Sequence, residues 1–227
     1  MVTENGEELV RITAGPVTLA GDLAIPQAAR GLVLFAHGSG SSRHSPRNRF
    51  VAERLREAGL ATLLLDLLTE EEEAADRYTA HLRFDIHLLA DRLVGVTDWL
   101  AQRPQTANLA LGYFGASTGA AAALAAAARR ADRVHAIVSR GGRPDLAGEV
   151  LSVVSTPTLL IVGGADEPVV RLNQKALVQL GAAVKQLVIV PGASHLFEEP
   201  GKLEEVARLA VDWFTRYLGV EAHSGRH

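Results

Sequence analysis

Gly115-Ala116-Ser117-Thr118-Gly119 decides how the rest of the chain is read. An apolar run, Leu109-Ala110-Leu111-Gly112-Tyr113-Phe114, leads into it. Residues 120–128, alanine throughout except Leu124, lead out and are closed by Arg129-Arg130. The first stretch has the character of a buried strand and the second of a helix. The pentapeptide fits G-x-S-x-G, in which a sharp strand-to-helix turn strains the serine backbone and lifts its hydroxyl above the sheet. Small residues are needed where strand and helix nearly collide, and Gly115, Ala116, Gly119 and Ala120 meet that need. A helix starting at the serine aims its first N–H groups where negative charge would develop. The competing reading is a glycine-bounded helix start capped by Ser117.

The flanking chain alternates strands with helices. Around Ala14-Gly15-Pro16, residues 9–12 and 17–23 predict an antiparallel hairpin at a sheet edge. Leu32-Val33-Leu34-Phe35-Ala36 is apolar throughout, as a strand buried on both faces must be, and runs into His37-Gly38-Ser39-Gly40-Ser41-Ser42. That loop lacks the lysine of a P-loop and the third glycine of a dinucleotide fingerprint. Further strands are expected at 61–66, 134–138, 158–162 and 187–190. Helical spacing of apolar residues marks 50–58, 86–103, 169–180 and 203–217. Trp99 belongs to a core-facing position and His87 to a solvent-facing one. The acidic run at 70–73 reads as a solvated loop or a helix start. Without a composition break or repeat, residues 1–219 predict one α/β domain. Its architecture is a doubly wound, mostly parallel sheet with helices on both faces, with no room for a large cap. The segment from Leu67 to Phe84 is long enough to cover only part of a site. Residues 220–227 form a polar tail that reads as disordered.

Composition narrows the function. The chain has 227 residues, 48% hydrophobic content and net charge -3. That suits a single domain and gives no sign of a nucleic-acid or membrane partner. Without cysteine there is no disulfide, thiolate metal site or cysteine nucleophile. No H-E-x-x-H or paired-histidine spacing suggests a metal, and no cofactor motif appears. The first eight residues lack the apolar core of a secretory signal, and no apolar run is long enough to span a bilayer, so a cytoplasmic protein is expected.

Sites on such sheets lie beyond the carboxyl ends of the strands. Asp166 and His195 each follow a strand end, as Ser117 does, in the chain order Ser, Asp, His. Histidine as base and an acid fixing its tautomer are what a serine needs to become a nucleophile. Glu167 is the competing acid; Glu198 and Glu199 stand too close after His195. The backbone N–H groups of Ser39 and Thr118 are the expected oxyanion hole. Arg43, Arg47, Arg49, Arg140 and Arg143 fall on loops leaving strand ends. Arg140 and Arg43 are the candidates to touch an anionic substrate group, against the alternative of ordinary salt bridges.

With these motifs in hand, the chain resembles the α/β-hydrolase superfamily, and within it the dienelactone-hydrolase-like group. The resemblance rests on residues 37–40, 115–119, Gly163-Gly164-Ala165-Asp166-Glu167-Pro168-Val169 and Gly192-Ala193-Ser194-His195-Leu196-Phe197. Residues 39–43 and 139–146 look like the hydrolase module sometimes joined to phosphoribosyltransferases, although no transferase domain is visible here. The resemblance implies an α/β-hydrolase fold and hydrolase chemistry. Dienelactone hydrolases carry cysteine at the elbow, where this chain has Ser117, so ordinary carboxylic esters are the expected substrates, lactones next. An acyltransferase or peptidase using the same residues, and a binding module without catalysis, are the competing functions. Sequence leaves the oligomeric state open.

Overall fold

The structure is a computed structural model and describes residues 6–219. The polar tail at 220–227 and the first five residues lie outside them. Eight strands form one sheet: β1 (Glu7–Ala14), β2 (Val17–Ala24), β3 (Gly31–Ala36), β4 (Ala61–Leu65), β5 (Ala110–Ala116), β6 (Val134–Arg140), β7 (Thr158–Gly163) and β8 (Lys185–Val190). Their spatial order is β1-β2-β4-β3-β5-β6-β7-β8. β1 and β2 form the expected hairpin at one edge, and β2 also meets β4 antiparallel. Every other pairing is parallel. The parallel strands therefore all end at the same edge of the sheet.

Helices cover both faces. α1 (Pro46–Glu57) and α6 (Lys202–Leu218) lie on one face, packing Val51, Leu55, Ala210 and Phe214 over Phe35, Phe114 and Val138. α3 (Ile86–Gln102), α4 (Thr118–Arg129) and α5 (Glu167–Gln179) cover the other, over Leu34, Tyr113 and Ile137. β3, β4 and β7 are buried along their whole length, which is why their sequences show no alternation. Each leucine so enclosed contributes about 1.5–3 kcal/mol. In α4 every residue from Thr118 to Ala127 is buried, so its run of alanines is a requirement of space. His87, by contrast, is solvent-facing as expected.

The structure adds three details to the sequence reading. The acidic run opens a real helix, α2 (Glu70–Thr79), which Thr69 and Glu72 start with a reciprocal capping box. Residues 144–153 form 3-10 turns broken at Gly148, where φ is 59°. β8 begins at Lys185, before its apolar run, because an edge strand can expose polar residues. α2 and a 3-10 turn at Leu82–Phe84 are all that stands between β4 and α3, so there is no cap domain.

Candidate active site

Ser117 stands between β5 and α4 with φ 50° and ψ -121°. A side-chain-bearing residue adopts such a conformation only where its surroundings enforce it. The turn is tight on every side: a Cβ added at Gly119 would lie 2.3 Å from the Ala36 carbonyl oxygen, and one at Gly115 2.4 Å from the Ala120 Cα. Backbone bonds then fix the serine against the neighbouring strand end. Its N–H donates to the Arg140 carbonyl (3.3 Å), and its carbonyl accepts from Arg143 N–H (3.0 Å).

His195 and Asp166 arrive from the ends of β8 and β7. His195 Nδ1 lies 2.7 Å from Asp166 Oδ2. Asp166 is itself held by the turn bond from its N–H to the Gly163 carbonyl (3.0 Å). The other acids are engaged elsewhere. Glu167 pairs with Arg171 at the surface, and Glu198 with Arg47. Glu199 accepts the Ser194 N–H on both carboxylate oxygens, at 3.0 Å each. That bond holds the Glu199 carboxyl below its ordinary range and clasps the loop that carries His195. The imidazole packs beside Gly141, where an added Cβ would lie 3.4 Å from its Cε1. Gly141 directly follows the Arg140 carbonyl that fixes Ser117. The structure thus joins acid and imidazole by a hydrogen bond and brings the imidazole to the strand end that holds the serine. Among the described residues no hydrogen bond links Ser117 Oγ to His195, a contact that hydrolases without substrate often leave long.

The oxyanion expectation needs correction in one respect. Ser39 N–H is not left open toward the serine: it donates to Thr118 Oγ1 at 2.9 Å. The cause is local. Thr118 is the first residue of α4, and its hydroxyl reaches the glycine-rich loop while its own N–H carries no hydrogen bond among the described residues. Gly38 packs against the serine, where a Cβ would come within 2.9 Å of the Ser117 Cβ.

His37 has a structural role that the sequence reading did not assign. Its Nε2 accepts the Leu67 N–H (3.1 Å), which can only donate. The proton therefore sits on Nδ1 and is donated to the Gly38 carbonyl (2.8 Å). One buried neutral ring thus ties the 37–42 loop to the exit of β4, and burial pushes its pKa down from the ordinary 6.5. A histidine directly after a buried strand and before the loop glycine was the available signal.

The arginines separate into two kinds. Arg43 binds Asp66 through its side chain and its N–H, and its Nε lies 3.5 Å from Asp22. Arg49 bridges Glu7 and Asp22, and Arg143 binds Asp145 with two bonds. These are the ordinary salt bridges of the competing reading, and Arg43 is engaged in them. Arg140 differs: it is buried, and its one side-chain hydrogen bond among the described residues, at 3.5 Å, goes to Asn48 Oδ1.

A groove of about 650 Å³ runs beside the loop, lined by His37, His44, Asp66, Glu70, Glu73 and Arg77 among others. Ser117 and His195 do not line it; they sit partly exposed at the strand ends. Among the described residues no group of three or more His, Asp or Glu side chains is placed to hold a metal. No helix among them is long and apolar enough to cross a membrane.

An open, mostly parallel sheet with a strained serine at one strand end and a bonded His–Asp pair at two others defines an α/β hydrolase. The comparisons agree. The sequence model of the dienelactone hydrolase family matches residues 19–218, and the chain belongs to that family. The crystal structure of a dienelactone hydrolase from Anabaena variabilis is 64% identical, with a TM-score of 0.91 over 93% of this chain and 98% of that one. A Xanthomonas campestris serine hydrolase described as lidless shares the fold at 24% identity, with a TM-score of 0.73 over 97% of this chain and 99% of that one. A putative phosphoribosyl transferase of Mycobacterium tuberculosis is 60% identical over 219 residues, 96% of this chain and 48% of its own length. This chain therefore spans about half the length of the curated relative it matches.

Proposed function

We propose that this chain is a cytoplasmic, cofactor-free serine hydrolase that cleaves carboxylic esters, lactones included, through an acyl-enzyme. The observation that carries the reading is the His195 Nδ1–Asp166 Oδ2 bond of 2.7 Å beside the strand end that fixes Ser117. Asp166 holds the proton on Nδ1 and leaves Nε2 as the base. His195 Nε2 takes the Ser117 proton as Oγ attacks the ester carbonyl. The charge on the carbonyl oxygen falls to the open Thr118 N–H and to Ser39 N–H, which turns to it from the Thr118 hydroxyl. The imidazolium returns its proton to the departing alkoxide, which leaves as an alcohol. Water, deprotonated by the same nitrogen, then releases the acid and restores the serine. Membership of the dienelactone hydrolase family supports hydrolase chemistry, and serine in place of cysteine suits ordinary esters.

The test is a panel of p-nitrophenyl esters and lactones hydrolysed by wild type and Ser117→Ala, with circular dichroism of both. The expected result is turnover by wild type and its loss, by at least about a thousandfold, in a folded variant. Near-wild-type turnover in Ser117→Ala would remove Ser117 as nucleophile. An amine or alcohol acceptor added to the same assay distinguishes hydrolysis from acyl transfer by its products.

A further inference from the structure

Arg140 is an arginine in the wrong surroundings for a structural one. It is 6% exposed. Its Nε is buried without a hydrogen-bond partner, and no carboxylate among the described residues pairs with it. The charge that acts on it is another cation, Arg47: burial first, and Arg47 second, push its pKa down to about 10. Arg47 is itself half satisfied. One Nη meets the exposed carboxylate of Glu198 at 3.1 Å, while its Nε is buried and unpartnered. A buried cation beside another cation, with no anion of its own, is strongly unfavourable unless a ligand supplies the anion.

The helix start beside them points the same way. Asn48, which accepts from Arg140, is in the first turn of α1. Pro46 has no N–H, Asn48 N–H is capped by Ser45 Oγ, and Arg49 N–H bonds the Ser45 carbonyl. That leaves the Arg47 amide as the open donor of this turn. Arg140 reaches this turn through Asn48, and Arg47 supplies both a second guanidinium group and the open amide. A tetrahedral oxyanion can use them all, where a flat carboxylate presents only two oxygens. The place is also right. The Arg140 carbonyl fixes Ser117, and the next residue, Gly141, touches the His195 ring.

We propose that Arg140, Arg47 and the N-terminal turn of α1 form a subsite for a phosphate-type oxyanion carried by the ester substrate, on the His195 side of Ser117. The proposal rests on the ester-hydrolase reading for the word substrate, but not for the anion. The substrate class is then an ester with a phosphate group on the alcohol or acyl portion. Glu198, bound to Arg47 only at the surface, gives way when the oxyanion enters.

The experiment is calorimetric titration of the intact protein with inorganic phosphate and, separately, with acetate. It is paired with kcat/KM for an aryl acetate with and without a phosphate substituent. Wild type is expected to bind one phosphate saturably, to bind acetate at least about tenfold more weakly, and to prefer the phosphorylated ester by about tenfold or more. Arg47→Gln and Arg140→Gln each weaken phosphate binding by a similar factor, and Arg47→Gln removes the preference. Arg208→Gln, which loses an exposed cation of α6, and Ser117→Ala both retain phosphate binding. Arg47 is partly exposed, so its variant decides the matter if Arg140→Gln does not fold. No phosphate binding, binding that Arg47→Gln leaves unchanged, or acetate bound as tightly would overturn the subsite. Failure of every ester with phosphate binding still dependent on Arg47 would refute the hydrolase reading and leave the oxyanion site standing.

Discussion

His37 shows how much one ring can decide. Because Leu67 N–H donates to its Nε2, the folded protein needs His37 neutral, and burial lowers its pKa below the ordinary 6.5. The unfolded chain then binds the proton more readily than the folded one. The stability this group contributes is complete above about pH 6.5 and is lost as pH falls through that value toward the lowered folded pKa. Wild type is therefore expected to lose melting temperature between pH 7.5 and pH 5.5 more steeply than His37→Asn. His135, whose pKa partial desolvation and then Arg133 also lower, acts in the same direction in both proteins and cancels in the difference. Parallel pH curves for the two proteins would show that His37 is not the group responsible. At this scale the sequence was informative wherever a residue type sits at a strand end: the positions of Ser117, Asp166 and His195 after β5, β7 and β8 are legible from order and spacing. Partners were not legible. Whether Arg43 meets two aspartates and Arg140 none depends on which loops fold beside them, and no local pattern records that. The same is true of the Ser39 amide, which is claimed by a hydroxyl 79 residues away.

Among the elements, α4 is the most constrained. It begins at the strained serine and lies against β5 on one side and α3 on the other, with Ala121, Ala122 and Ala123 fully buried. Alanine here gives good helix propensity with the smallest side chain that has any. Ala123→Leu is expected to cost about 1–3 kcal/mol in urea unfolding, because a close-packed interface must open to admit three more carbons. A cost near zero would mean that α4 is free to move outward, and the elbow with it. The buried strands and amphipathic helices were readable because their faces impose a period or remove it. The 3-10 turns at 144–153 were not, since Pro144 and a kink at Gly148 leave no period to detect. α2 was only half readable: its start is announced by Thr69 and four glutamates, but its end is made by Asp76. That buried side chain accepts from the Leu82 and Arg83 N–H groups and from Arg83 Nε, contacts fixed only in the fold.

The whole molecule is one sheet with a core on each face, and the two tryptophans report on different ones. Trp99 packs against the α3–α4 side, and Trp213 is buried on the α1–α6 side. If both faces depend on the same strands, single-tryptophan variants should unfold with coincident urea midpoints. Separate midpoints would show that the faces fold independently. The assembly of the site belongs to this scale as well. Residues 117, 166 and 195 lie at one edge of the sheet because β5, β7 and β8 run parallel and end there. The most direct test of that assembly is the rate at which a fluorophosphonate labels the native protein, followed by intact mass and peptide mapping. The account predicts a single adduct on Ser117, slowed at least about a hundredfold in folded His195→Ala. Labelling elsewhere, or equal rates in wild type and His195→Ala, would contradict it.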